Sequence, residues 1–221
     1  MRLKFHYLFY FIVFIASCSK SSYQSYSNTN VKLDSTYNSS DLELTIGPYR
    51  ELVDAQMDVL IGSADSALLK FTPESPLGNF VADVVFQKGI SLRPTVFENI
   101  DYDNAITLLN FGGLRAPINK GNITIGNVYE LMPFDNTITI VKIKGAALID
   151  LMTYLYKMNG QPVSNAKFIL NKDDFTFFVN DKLFSADEEL YIITSNYLAT
   201  GGDKMTFLRD ATQKWDSGIL I

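Results

Sequence analysis

The chain has 221 residues, of which 47 % are apolar and 19 % charged, with a net charge of −5. That is enough apolar side chain for a buried core, so a disordered or fibrous chain is excluded. The acidic balance and the scattering of Lys142, Lys144, Lys157 and Lys167 argue against nucleic acid as a partner, because phosphate backbones call for clustered cations.

The N-terminus reads as an export signal. Arg2 and Lys4 precede an apolar run from Leu8 to Ala16, too short and wrongly flanked for a stable membrane span. The run ends in Ile15-Ala16-Ser17-Cys18, which resembles the bacterial lipobox, in which the cysteine is lipidated and becomes the new N-terminus. An ordinary signal peptide with an incidental cysteine is the alternative. Cys18 is the single cysteine, so no disulfide forms within one chain. Acylation would hold the protein on a membrane surface. Ser19 points to the outer membrane of a bacterial cell envelope, by analogy with lipoprotein sorting. Cleavage before Cys18 would remove two of the 19 basic side chains and none of the 24 acidic ones, taking the net charge from −5 to −7. It would also remove His6, the one histidine. Without histidine there is no imidazole base, no Ser-His-Asp triad and no His-rich metal centre.

The expected organisation is a signal peptide over 1–17, a lipidated cysteine and Ser-rich tether over 18–44, and one domain over 45–221. Within it, Gly47-Pro48 opens a helix over 46–60, with Leu52, Val53, Met57 and Leu60 at helical spacing. Residues 67–71 are a short strand. Residues 77–90 form a helix with Phe80, Val81, Val84, Val85 and Ile90 as its buried stripe. A buried strand over 105–110 runs into Gly112-Gly113 and Arg115. A short helix over 124–132 follows. Residues 136–145 alternate as a strand, with Ile138, Ile140 and Ile143 on apolar faces, and 145–158 form a helix. Residues 175–180 and 190–195 are strands. Strands and helices mix without a regular βαβ repeat, so the fold class is α+β, with layered mixed sheets and flanking helices.

The glycine pair has two readings. It is a turn with a surface arginine, or a loop that lets a ligand approach the backbone while the Arg115 fork meets phosphate or carboxylate. Three further stretches accompany it: "ESPLGNFVAD" (74–83), "LMPFDNTITIVKIKGAAL" (131–148) and "YIITSNYLATGGDKMTF" (191–207). In this order and spacing, the four resemble the C-terminal, substrate-binding domain of the 5′-nucleotidase family, over roughly residues 45–215.

The resemblance implies a nucleotide or nucleoside site. Phe134 and Tyr197 match the two rings that clamp the base. Asn110 matches the base contact, Arg115 the phosphate contact and Asp203 the ribose contact, with Gly112, Gly113, Asn196 and Gly202 completing the binding motifs. Read singly, Phe134 is equally a core aromatic, Tyr197 a packing residue and Asp203 a turn residue. Asn79 and Asp83 read as builders of the fold through capping and buried hydrogen bonds.

Departures from the family are informative. Phe111 stands where the family has glycine, so the loop is expected to narrow or rearrange. Lys70 stands near a family phosphate arginine, which a point charge replaces poorly. The sequence stops at "WDSGILI", where relatives tend to continue, so the expectation is either a truncated edge or one completed by something else. Full-length relatives also carry a metallophosphatase domain with a dinuclear metal centre. Asp101-Tyr102-Asp103 and Asp173-Asp174 match no metal loop and read as solvated turns. The resemblance therefore implies no catalytic residue, metal or cofactor in this chain. It implies a nucleotide-binding half of a split 5′-nucleotidase acting in nucleotide catabolism, with divalent metals in a separate metallophosphatase partner. A non-catalytic nucleoside-binding or structural surface lipoprotein is the alternative.

Overall fold

The computed structural model describes residues 40–221 apart from 94, 95, 99, 172, 173 and 212. The export signal, Cys18 and Asp173 lie outside the described residues. The chain divides into two units, Met1–Gly47 and Pro48–Ile221.

Helix α1 spans Ser40–Met57, so it starts ahead of the expected Gly-Pro entry and takes in residues assigned to the tether. Asp41 and Glu43 lie in its first turn, where the helix dipole favours negative charge, and Pro48 falls inside the helix. Leu60 belongs not to this helix but to strand β1, Leu60–Ala64, which pairs with β3, Gly121–Thr124, in a two-stranded sheet. The strand expected over 67–71 reduces to one bridge, Leu68 to Ile118. No helix among the described residues is long and apolar enough to cross a membrane.

Helix α2, Pro76–Ser91, starts as its sequence dictates: Ser75 accepts from Gly78 N–H and Pro76 takes the first turn. Its buried side is Leu77, Val81, Ala82, Val85, Phe86 and Gly89, whereas Phe80 and Val84 are 43 % and 51 % exposed. The apolar residues surround this helix, so periodicity alone misjudges which stripe faces the sheet. Asp83 accepts from Ser164 Oγ at 2.5 Å and ties the helix to the sheet edge, while Asn79 donates to Glu74.

The centre is a mixed five-stranded sheet in the order β10-β4-β9-β2-β5, formed by Gln213–Leu220, Thr137–Ile143, Leu190–Ser195, Ala105–Leu108 and Val163–Ser164. Strands β2 and β9 are parallel, and β4 runs antiparallel to β9. Alternate residues of these strands enter two cores. Ile106, Leu108, Val141 and Ile192 face helix α4, Ala146–Lys157, whose Leu148, Leu151, Met152 and Leu155 are buried as expected. Ala105, Ile138, Ile140 and Ile193 belong to the core that α2 shares. A sheet covered on both faces is apolar on both faces, which is why Val141 is as buried as Ile140.

Helix α3, Ile125–Leu131, is capped reciprocally by Thr124 and Asn127. A three-stranded sheet, β6-β7-β8, covers Ala166–Leu170, Phe175–Val179 and Lys182–Leu183. Two short helices, α5 (Asn196–Ala199) and α6 (Thr206–Arg209), follow β9. These mixed helices and sheets make the α+β fold expected from the sequence.

Candidate functional site

The strand directions bring distant residues together. Because β2 and β9 are parallel, their C-terminal ends share one edge of the sheet, and antiparallel β4 begins there. Asn110 follows β2, Tyr197 follows β9 and Phe134 precedes β4. That edge is where open α/β sheets commonly offer a crevice.

Gly112 and Gly113 form a single 3-10 turn with Phe111. The turn is held from three sides. Gln161 Oε1 accepts from Phe111 N–H at 2.8 Å, and Lys70 Nζ donates to the carbonyls of Phe111 at 3.2 Å and Leu114 at 2.7 Å. Arg115 N–H donates to Leu131 O at 2.8 Å. Lys70 thus braces the turn; its ammonium is engaged by carbonyls rather than held ready for phosphate. Phe111 packs toward helix α2, where a Cβ on Gly78 would come within 3.1 Å of its ring. The Arg115 guanidinium is exposed and makes one long contact of 3.4 Å, to Gly112 O.

Gly112 and Gly113 frame the Asn110 side chain: a Cβ on either would come within about 3 Å of its amide. Asn110 Nδ2 donates to Asp203 Oδ2 across 93 residues of sequence. Asp203 also meets Tyr197. The phenol donates to Asp203 Oδ1 at 3.3 Å and accepts from Asp203 N–H at 3.2 Å. Gly202 lies flat against the same ring, where a Cβ would sit 2.5 Å from ring carbons.

Phe134 and Tyr197 are each 47 % exposed, so neither is a core aromatic. Asn196 joins their two strands. Its Oδ1 accepts from Thr137 N–H at 3.2 Å and from Tyr197 N–H at 2.9 Å, so this amide oxygen is committed to holding the strand ends. The residues expected to bind ligand thus follow β2 and β9 or precede β4 at this edge, whereas Cys18 lies outside the described residues.

Two buried residues behind the site were not expected. Gln161 Nε2 donates to Tyr154 Oη at 3.4 Å, extending the support of Phe111 into the core. Burial pushes the Tyr154 phenol up to about 12, with the Asp203 carboxylate adding and the Gln161 bond opposing. Nothing local in "NGQPV" announces this role; Gln161 acts on a turn far away in sequence.

Among the described residues, no group of three or more His, Cys, Asp or Glu could hold a metal ion. A cleft of about 750 Å³ lies elsewhere, lined by Asp83, Asn159, Ser164, Asn165 and Phe168 among others. It contains none of the expected site residues.

The chain is 27 % identical over 184 residues to human 5′-nucleotidase, covering 72 % of this chain and 31 % of that protein. It is 26 % identical over 168 residues to an apyrase of Tabanus yao, covering 64 % and 29 %. A trifunctional nucleotide phosphoesterase protein of Bacillus subtilis is 26 % identical over 167 residues, covering 67 % and 11 %. The chain thus spans under a third of these relatives' length. In fold it resembles a 5′-nucleotidase precursor of Thermus thermophilus, with a TM-score of 0.67 and 24 % identity over 80 % of this chain and 38 % of that one. The model of the family described as 5′-nucleotidase, C-terminal domain, matches residues 55–210, and the chain belongs to that family.

Proposed function

We propose that this chain is the nucleotide-binding half of a 5′-nucleotidase, working with a separately encoded metallophosphatase in nucleotide catabolism. The observation that carries this reading is the edge itself: two half-exposed rings, Phe134 ahead of β4 and Tyr197 after β9, with the linked Asn110–Asp203 pair and the Arg115 turn after β2. Two aromatic faces suit a base, at about 1–3 kcal/mol per stacked base. An amide suits the base edge, a carboxylate the ribose hydroxyls and an exposed guanidinium the phosphate. Two relatives carry "nucleotid" chemistry in their names, which supports the substrate class.

In this reading the chain binds and orients its ligand and holds no metal. The divalent ions belong to the partner, which polarises phosphate and activates water. We further propose anchoring through lipidated Cys18 on a bacterial cell envelope, at the outer membrane.

Calorimetric titration of the purified protein with adenosine and AMP tests the site, with Phe134→Ala alongside. Binding that falls in the variant supports the ring clamp, and binding that ignores it overturns the clamp. The isolated chain is expected not to hydrolyse AMP with added divalent metal; turnover would refute the division of labour. The second reading, a nucleoside-binding lipoprotein without catalysis, draws on Lys70. Its ammonium is taken up by the turn carbonyls, which weakens the phosphate end of the site. Equal affinity for adenosine and AMP would favour it.

A further inference from the structure

Stacking uses the face of Tyr197 and leaves its hydroxyl unexplained, since phenylalanine would stack as well. That hydroxyl is engaged twice by one residue, donating to Asp203 Oδ1 and accepting from Asp203 N–H. Asn110 holds the other carboxylate oxygen. Asp203 and Lys204 sit at φ 48° and 67°, a left-handed conformation that such residues keep when their surroundings hold them. A carboxylate offers about four acceptor directions. One protein donor on each oxygen leaves each oxygen able to accept again, which matches the two O–H groups of a vicinal diol.

We propose that the Tyr197 hydroxyl is a positioning group for Asp203. It fixes the carboxylate so that its remaining lone pairs meet a sugar's vicinal diol, and so couples sugar recognition to the ring that stacks the base. This rests on the nucleotide-binding reading. One side chain then has two separable tasks: its face selects for a planar base, and its hydroxyl selects for a ribo sugar through Asp203.

The test is calorimetric titration of the purified protein with adenosine and with 2′,3′-dideoxyadenosine, which lacks the diol. Wild type, Tyr197→Phe, Asp203→Ala and the double variant are compared, with thermal melting of each. Tyr197→Phe is expected to weaken adenosine about fivefold or more while changing dideoxyadenosine by less than about twofold, the size of a lost hydrogen bond to a charged group. In the Asp203→Ala background the same substitution is expected to do nothing further, because its route is gone. Unchanged adenosine preference in Tyr197→Phe overturns the proposal. Equal loss for both ligands overturns it too, because that reports a displaced ring, as does a loss that persists without Asp203. Wild type that binds both ligands equally removes the diol while leaving the base site standing. Wild type that binds neither removes the nucleotide reading itself.

Discussion

Gly202→Ala separates the site from the fold. Gly202 is not among the glycines with positive φ, so its backbone admits alanine. The new Cβ would lie 2.5 Å from two carbons of the Tyr197 ring and 2.7 Å from a third. Carbon contacts settle at about 3.5 Å or more, so the ring must retreat by about 1 Å. It can do so cheaply, since it is half-exposed and has solvent to turn into. The retreat takes the hydroxyl off Asp203 and misplaces one stacking face. Losing a stacked base costs about 1–3 kcal/mol, or roughly 5- to 150-fold in affinity. Stability should fall by less than about 1 kcal/mol, as for a surface change without core damage. Gly160→Ala is the contrast. Its φ is +89°, and a Cβ would come 2.1 Å from the Pro73 carbonyl oxygen, which is backbone and cannot turn away. That variant should lose about 3 kcal/mol or more, some 10 °C in melting temperature. The assays are adenosine titration and thermal melting on both variants. Wild-type affinity in Gly202→Ala would refute the argument, and so would a melting loss equal to that of Gly160→Ala.

Other outcomes follow from the same geometry. Lys70→Ala should weaken adenosine and AMP by the same factor, because the ammonium braces turn carbonyls; a loss confined to AMP would assign it to phosphate instead. Arg115→Ala should do the reverse and weaken AMP about tenfold while sparing adenosine, read by the same titrations. Tyr154, with its folded value raised to about 12 from 10.0, keeps its proton in the native state while the unfolded chain loses it. Its contribution is therefore complete below pH 10 and disappears as pH rises toward 12, about 2–3 kcal/mol in all. Denaturant melts across that range should show a shallower alkaline loss in Tyr154→Phe. Ser164→Ala removes the partner of Asp83 and should cost about 1–3 kcal/mol at neutral pH, measured by urea unfolding.

The long periodic segments were legible. Helix α4 and strands β2, β4, β7 and β9 fall where apolar spacing puts them, because each presents its side chains to a core. The misses have separate causes. On α2 the apolar residues run all round, so the sheet rather than the sequence selects Leu77, Val81 and Val85 over Phe80 and Val84. Strands β1, β3, β5 and β8 are short, and their pairing comes from distant partners. Only motif order relates the candidate site residues in the sequence, since no local pattern joins Asn110 to Asp203. Lys70 and Gln161 act on backbone atoms of a remote turn, which a linear reading does not see. Gln161 carries no local signal for that reason, and the charge of Lys70 does not reveal which carbonyls its donors reach.

The parallel pairing of β2 with β9 has a kinetic consequence. Ala105 pairs with Tyr191, and nearly all the intervening chain must be spanned before that register closes. Contacts of such sequence separation form slowly, because loop closure is opposed by entropy until they are made. Asn110 and Asp203 flank these two strands, so the candidate site edge is expected to form only once this register has closed. Fragments ending before β9 should hold much of the secondary structure but lack the Asn110–Asp203 pairing. A small molecule that binds there will favour the finished chain over every partly folded one, and will raise its thermal stability by mass action.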